Sequence, residues 1–510
     1  MRNTLANAAV RFFQVAAAFV YMPFLISSFG LANYGVFLLA GSLSIYLGLL
    51  DFGVNPTVVK HVAEYVARDR THEIARLLSN AATFYAVAGL VAATFLALFG
   101  RWGVEYLALQ PVEAQLATRL FYVAAVVALF VWPLGMGAAV LNGLQRYDLT
   151  AQINLAVVLA NLVLVAVVLI AQEGPLVLFA AMGVVAVVAG AASCVLAARH
   201  LPSVRPSFGL MSRSGLRLLF GFSWMVFIFQ IAVVIADQQT DRLILGAFAG
   251  AAAIALYEPA ARLHLLTAAL ASLTHSALIP AAAKLDAESR PEALRALYLR
   301  GSKYTVALVT PVAVSLIVLA HPLLTTWLGP EFSGVSGAAQ LFLLPYIMYA
   351  NLAVAFPVFI GSGRLRFIAL YTLTKSLVKV ALSLALVGEY GVLGVILGSV
   401  IGDALFFPIG MRYTLRTFGI RPAEYVRTVV VPAYPLLALP ALVGWAAIQA
   451  GLTATLPGVA VAIVVAVGSY WVLTYRTGLT PHERDDVRAT LTSVKARVSR
   501  SLHRGRVPRR

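Results

Sequence analysis

The chain has 510 residues, 61% of them hydrophobic and 12% charged, with a mean hydropathy of +0.88. No soluble globule of this size keeps so apolar a composition in water, so the sequence describes an integral membrane protein. The formal net charge of +17 comes without a basic soluble segment or basic residues interleaved with stacking aromatics, which argues against nucleic acid as a partner.

The N-terminal stretch MRNTLANAAVRFFQVAAAFVYMPFLI starts basic, but its apolar body continues past a signal-peptide length and carries no small-x-small cleavage site. It is expected to be a retained first span. Segments long enough to cross ~30 Å of hydrocarbon follow near 34–58, 79–100, 119–141, 150–171 and 175–198. A second set lies near 219–247, 253–280, 304–327, 338–360, 367–387, 391–411, 429–449 and 456–475. With the first span near 5–28, the expected fold is an all-α polytopic membrane protein of about 14 transmembrane helices. The single cysteine, Cys194, sits in an apolar run and reads as a packing residue.

Alternate connections carry the basic residues: Lys60, Arg68, Arg70 and Arg76; Arg146; Arg199, Arg205, Arg213 and Arg217; Lys284 to Lys303; Arg364 and Arg366; then Arg412 to Arg427. The intervening connections are nearly bare, apart from Arg101, Arg119 and Arg242. This asymmetry places both termini in the cytoplasm.

Short matches recur at an offset of about 220 residues. Phe29-Gly30 ahead of Tyr34 pairs with Ala249-Gly250 ahead of Tyr257, NGLQR at 142–146 with GSGRLR at 361–366, and QEGPLVLFAAMG at Gln172 with GEYGVLGVILGS at Gly388. The expected organisation is two pseudo-symmetric six-helix lobes, 1–198 and 219–411, joined by a cytoplasmic linker at 199–218. An additional helix pair at 412–475 and a basic cytoplasmic tail at 476–510 follow. TPHE at 480–483 reads as a capping box opening a helix, which either lies on the anionic leaflet or serves as a basic tail. Lying outside the lobes, residues 481–510 are expected to be dispensable.

Three stretches carry a family pattern: SSFGLANYGVFLLAGSLSIYLGLLDFGVNPTVVKHVAEY, DRLILGAFAGAAAIALYEPAARL, and TTWLGPEFSGVSGAAQLFLL followed by GSGRLR. From about residue 1 to 420 the chain resembles the polysaccharide or O-antigen flippases of the multidrug, oligosaccharidyl-lipid and polysaccharide exporter superfamily. The resemblance implies two lobes around a cavity open to one side at a time. It also implies outward movement of a polyprenyl-diphosphate-linked oligosaccharide across the inner membrane for surface polysaccharide biosynthesis. Membrane lipids, a polysaccharide polymerase and glycosyltransferases are the partners it implies. Peptidoglycan lipid-precursor flippases share the architecture, and an ion-coupled, multidrug-type exporter is the rival reading.

No motif for nucleotide phosphate, metal or nucleophilic catalysis is found, so neither an enzymatic reaction nor a cofactor or metal is expected. Charges inside predicted spans carry the functional expectation, because an ionised group there costs at least ~2.5 kcal/mol and normally faces a bundle interior or wet cavity. Arg11, Arg262, Lys375 and Lys379 are candidates for the diphosphate or headgroup, and Asp51, Glu258 and Asp403 for ion coupling or charge pairing. Arg11 either pairs with Asp51 or snorkels to the interface. Glu258 and Arg262, four apart with the acid first, are able to satisfy each other, with Pro259 between them loosening the helix. His264 and His275 read as packing residues or proton carriers. Lys375 and Lys379 share a helix face; Asp403 is available to Lys375, whereas no acid is evident for Lys379, where a diphosphate, with Thr372 or Ser376 donating, supplies the missing charge. On that reading Lys379→Gln strands no carboxylate and leaves the fold intact.

Overall fold

The computed structural model describes residues 2–204, 238–272, 275–481 and 483–485, with positions 212, 215, 217, 219 and 231; the side chains of residues 2–16, 18, 238 and 275–277 lie outside the description. The described residues form helices joined by short turns, with no strand among them. In chain order they are α1 (Arg2–Tyr46), α2 (Val54–Ala67), α3 (Thr71–Trp102), α4 (Pro111–Gly143), α5 (Tyr147–Ile170), α6 (Pro175–His200), α7 (Gln238–Phe248), α8 (Ala251–Ser272), α9 (His275–Ala287), α10 (Pro291–Val318), α11 (Ala320–Leu328), α12 (Ser336–Leu343), α13 (Pro345–Tyr349), α14 (Ala355–Gly361), α15 (Leu365–Tyr390), α16 (Val392–Thr417), α17 (Pro422–Gln449) and α18 (Leu456–Leu473).

Ten helices among the described residues are long and apolar enough to cross a membrane, against the fourteen expected. The first two expected spans share α1, whose 45 residues are interrupted at Gly30 (φ 77, ψ 161), a conformation open to glycine alone. The second of them stops at Tyr46, and a 3-10 turn (Leu47–Asp51) leads through Phe52 and Gly53, both with positive φ, into α2. Most of the expected 219–247 span lies outside the described residues. The 253–280 span falls on α8 and α9, with 273–274 outside the described residues, and 338–360 is broken into α12, α13 and α14. Pro259 does not interrupt α8, which runs through it.

The repeat is visible in backbone conformation. Gly30 (φ 77) is matched by Gly250 (φ 86), Asp69 (φ 55) by Ser289 (φ 52), Gln145 (φ 58) by Gly363 (φ 71), and Gln172 (φ 55) by Gly391 (φ 53). The first two offsets are 220 residues, the others 218 and 219. Asp69 and Ser289 end their helices with the same left-handed cap: Arg70 N–H donates to the Tyr65 carbonyl at 2.9 Å, and Arg290 N–H to the Leu285 carbonyl at 3.0 Å. These six-to-one bonds satisfy the carbonyls that a helix end leaves open.

The chain divides into two compact units. The first comprises Met1–Ala269, Trp327–Pro345 and Gly363–Gly410; the second comprises Leu270–Thr326, Tyr346–Ser362 and Met411–Arg510. In the first unit, Val54, Val58 and Val62 of α2 pack on Ile74, Leu78 and Tyr85 of α3 and on Val140 and Leu141 of α4. Backbones approach closely where side chains are absent: a carbon added at Gly35 would lie 1.8 Å from the Ala251 carbonyl oxygen, joining α1 to the start of α8. Cys194 is a packing residue as expected, its thiol donating to the Leu134 carbonyl at 3.3 Å.

In the second unit the interruption at residues 350–354 leaves backbone carbonyls without helical donors, and tyrosine hydroxyls satisfy them. Tyr298 donates to the Asn351 carbonyl (3.2 Å), Tyr425 to the Asn351 side-chain oxygen (3.0 Å), and Tyr434 to the Ile347 carbonyl. Lys303, one of the basic residues of the 281–303 connection, is carried by α10 and is buried, with its ammonium 2.7 Å from Glu483. Glu483 also closes the expected capping box, accepting from Thr480 N–H at 2.8 Å while Thr480 Oγ1 accepts from Glu483 N–H at 3.4 Å. Burial opposes charge on Glu483, but the Lys303 ammonium and the Thr480 donors outweigh it and hold the carboxyl below its ordinary range. The start of the tail is thus tied to α10 within the second unit. The helix expected beyond it lies outside the described residues.

Candidate functional site

Five charged residues of the predicted spans, Glu258, Arg262, Lys375, Lys379 and Asp403, lie in the first unit together with two that the hydropathy pattern passed over. Short α7 brings in Gln239, Asp241 and Arg242; α8 brings Tyr257, Glu258 and Arg262; α15 brings Lys375 and Lys379; and α16 brings Asp403. The four-residue spacing stacks Glu258 under Arg262, with Arg262 Nε 2.6 Å from Glu258 Oε1. The expected pair is present, yet it is half of a larger arrangement. Arg242 donates to the other carboxylate oxygen of Glu258 through Nε (3.0 Å) and Nη2 (2.6 Å). Its Nη1 reaches Gln239 Oε1 at 2.8 Å and Ser42 Oγ of α1 at 3.4 Å. Glu258, fully buried, is therefore held between two guanidinium groups.

Lys379 is the main correction. Its ammonium lies 3.0 Å from both oxygens of Asp241, which is fully buried and also accepts from Tyr257 O–H at 2.7 Å. A carboxylate is thus present where none was evident. Lys375 and Asp403 form the expected pair, at 2.6 Å. Ser376 donates to the Thr372 carbonyl within its own helix at 2.7 Å. These pairs remove the penalty that an isolated buried charge would carry, several kcal/mol per ion. Counted by group, four cations (Arg242, Arg262, Lys375, Lys379) face three carboxylates (Asp241, Glu258, Asp403), a surplus of one positive charge among these residues.

Exposure sorts the cluster. The side chains of Asp241 and Glu258 are 0% exposed and Arg242 is 8% exposed, whereas Arg262 is 20%, Lys375 23% and Asp403 28% exposed. The inner groups are locked; Arg262 and Lys375 are the cations with an accessible side. His264, on the same helix as Arg262, stacks on Phe342 with centroids 4.2 Å apart and reaches the Phe342 carbonyl at 3.4 Å, the packing reading of the two offered. The side chain of His275 lies outside the described residues.

Asp51 stands apart from this cluster. It accepts from Tyr85 O–H (2.7 Å) and from the Asn55 N–H (3.2 Å), capping the start of α2. The side chain of Arg11 lies outside the described residues, so its expected pairing with Asp51 does too.

Asp241 and Arg242 escaped the sequence reading because DQQTDR interrupts the hydropathy and resembles a loop. The available signal was Lys379 itself, a mid-span cation that requires a counter-charge.

Residues 1–286 match a family described as Polysaccharide biosynthesis protein. A provisionally named O-antigen transporter of Shigella flexneri is 28% identical over 131 residues, covering 25% of this chain and 30% of that relative. Among solved structures, the Lipid II flippase MurJ in an inward closed conformation is similar with a TM-score of 0.72 at 13% identity, covering 91% of this chain and 97% of that one. An inward-facing multidrug resistance MATE family transporter of the MOP superfamily follows at 0.66 and 15% identity, over 80% of this chain and 94% of that one. At such identities the likeness is one of fold.

Proposed function

Because this chain belongs to the polysaccharide biosynthesis protein family, matched from residue 1 to 286, we propose that it is a flippase for polyprenyl-diphosphate-linked oligosaccharide, not an enzyme, acting in surface polysaccharide biosynthesis. It spans the inner membrane many times, with both termini cytoplasmic. Lobes 1–198 and 219–411 alternate access to a wet cavity while the polyprenyl tail stays in the bilayer. Synthesis and polymerisation on the two sides, by glycosyltransferases and a polymerase, supply and remove the substrate.

The observation that supports this reading is the surplus cation of the buried cluster, with Arg262 and Lys375 presenting accessible sides. A diphosphate matches such donors, since charge-assisted hydrogen bonds to phosphate are roughly twice as strong as neutral ones. The inner pairs Arg242–Glu258 and Lys379–Asp241 hold those donors in place. Arg11, Lys379, Asp51, Glu258 and Asp403 remain candidates for headgroup contact or ion coupling in the same scheme.

The test is movement of a defined polyprenyl-diphosphate-linked saccharide in proteoliposomes. Arg262→Gln leaves Glu258 paired with Arg242, so folded protein should persist while the flipping rate falls about tenfold, the effect of losing one charged donor to phosphate. An unchanged rate in Arg262→Gln, or transport of amphiphilic cations in place of the saccharide lipid, overturns the proposal and favours the multidrug-type reading.

A further inference from the structure

The interruption between α13 and α14 in the second unit has an ordered hydrogen-bond pattern. Residues 350–354 are buried, so water does not satisfy their polar groups. Asn351 N–H donates to the Met348 carbonyl (3.1 Å), Leu352 N–H to Tyr349 (2.9 Å) and Ala355 N–H to Leu352 (2.9 Å), each three residues back in place of the four of an α-helix. In an α-helix the acceptors of Asn351 and Ala355 would be the carbonyls of Ile347 and Asn351. Those two carbonyls are held by tyrosine hydroxyls instead: Tyr434 donates to Ile347, and Tyr298 to Asn351 at 3.2 Å. The Asn351 side chain ties the two ends together, with Nδ2 donating to the Ile347 carbonyl (3.2 Å) and Oδ1 accepting from Tyr425 (3.0 Å).

Each of these carbonyls therefore has an alternative donor four residues along its own chain. A shift of one residue moves the N–H groups of Asn351 and Ala355 onto Ile347 and Asn351, closes the helix, and releases the hydroxyls. Pro357 opposes that closure. It lies in the first turn of α14, where proline is tolerated, whereas inside a continuous helix it offers no N–H to the Ala353 carbonyl and crowds it. A stretch of 3-10 bonding inside a helix often marks a hinge. The helix that supplies Tyr425 and Tyr434, α17, is itself irregular between and beyond them, with a π turn at Val426–Val430 and a 3-10 turn at Pro435–Leu437.

We propose that residues 347–355 form a two-register hinge, bonded three residues back in the conformation seen here and α-helical in a second one, with Tyr298 of α10 and Tyr434 of α17 setting the balance. The hinge gives α17, which follows the repeated segments, a part in conformational change, and it holds whatever the substrate is.

The test reads the length of the hinge in full-length protein. With the single native cysteine replaced, Cys194→Ser, spin labels are placed at exposed positions 348 and 364, and their separation is measured by pulsed electron resonance in nanodiscs. Closing the helix lowers the rise per residue from ~2.0 to ~1.5 Å across 350–354, so the second conformation is shorter by about 2–3 Å. Tyr298→Phe and Tyr434→Phe keep the rings, including the stack of residue 298 on Phe418 at 5.0 Å, and remove only the hydroxyls. Each should raise the ratio of short to long separation about fivefold, and the pair about twenty-five-fold. Pro357→Ala supplies the missing N–H and should raise the ratio on the order of a hundredfold with both tyrosines in place. Should the paired variant fail to fold, the single variants and Pro357→Ala still decide. Separations unchanged in every variant, or shifted only to longer values, make the interruption a static bend and overturn the proposal. A shift confined to Pro357→Ala removes the tyrosines from the balance and overturns it as well.

Discussion

Replacing Lys379 by glutamine tests the inner half of the cluster. At 3.0 Å and an effective dielectric of about 20, the Lys379–Asp241 attraction is roughly 5 kcal/mol before desolvation. Removing one partner of such a buried pair typically costs ~3–5 kcal/mol, because the remaining charge is stranded. Tyr257 still donates to Asp241 at 2.7 Å, and a hydrogen bond to a charged group is worth ~1.5–3 kcal/mol, so the lower end of that range, about 3 kcal/mol, is expected. Asp241→Asn alone should cost a similar amount, by stranding an ammonium that is only 12% exposed. The double variant should recover most of the loss, with a coupling of at least ~2 kcal/mol. Unfolding in mixed detergent micelles titrated with dodecyl sulfate, followed by tryptophan fluorescence, measures all four proteins. Strictly additive single and double variants, or a Lys379→Gln protein as stable as the parent, would refute the buried-pair account. They would return Lys379 to the role of a cation awaiting a ligand.

Lys375→Gln should strand Asp403, lowering both stability and flipping, and adding Asp403→Asn should restore folded yield without restoring the full rate; recovery of neither breaks the pairing argument. Reporter fusions should place residues 290 and 510 in the cytoplasm, and periplasmic phosphatase activity at 290 contradicts the basic-loop reading. Truncation after Asp485 should leave folding intact, whereas truncation after Thr480 removes Glu483 and strands buried Lys303, so folded yield after detergent extraction should fall only in the shorter protein. The Glu483 carboxyl is held below its ordinary range, so its contribution is fully present above the unfolded value of about 4.3 and is lost as pH falls through the folded value; Glu483→Gln should flatten that acid limb of stability, and an unchanged limb excludes Glu483 as its source.

Much of this architecture can be read along the chain. Gly30, NGLQR and QEGP signalled a repeat, and the backbone repeats its positive-φ positions at the same offsets, because such caps demand local chemistry that a sequence displays. The Glu258–Arg262 and Lys375–Asp403 pairs were accessible for the same reason, since helical spacing and equal depth are one-dimensional quantities. Lys379 and Asp241 are 138 residues apart, on helices whose adjacency no periodicity encodes. Hydropathy also misleads in this region. A short amphipathic helix that hides Asp241 and Arg242 against other charges looks the same as a polar loop. At the start of the tail the capping box was legible, but the second duty of Glu483, neutralising Lys303 inside α10, was not.

The position of Glu258 separates coupling from scaffolding. A carboxylate that carries a transported proton or cation must tolerate neutralisation, and its amide variant should fold and lose only its dependence on the ion. Glu258 is instead fully buried between Arg242 and Arg262, so Glu258→Gln leaves two guanidinium groups converging on a neutral amide. Arg242 cannot turn away easily, since Gln239 and Ser42 hold its Nη1. Loss of folded protein is therefore expected, of the ~3–5 kcal/mol order that follows breaking a buried pair. Adding Arg242→Met should restore most of it, because Arg262, being 20% exposed, retains access to polar surroundings. Folded yield and unfolding midpoint of the single and double variants measure this directly. A Glu258→Gln protein with parental stability and a flipping rate that no longer responds to pH or sodium would mean that the two arginines are not there to neutralise Glu258, and would make it the coupling site.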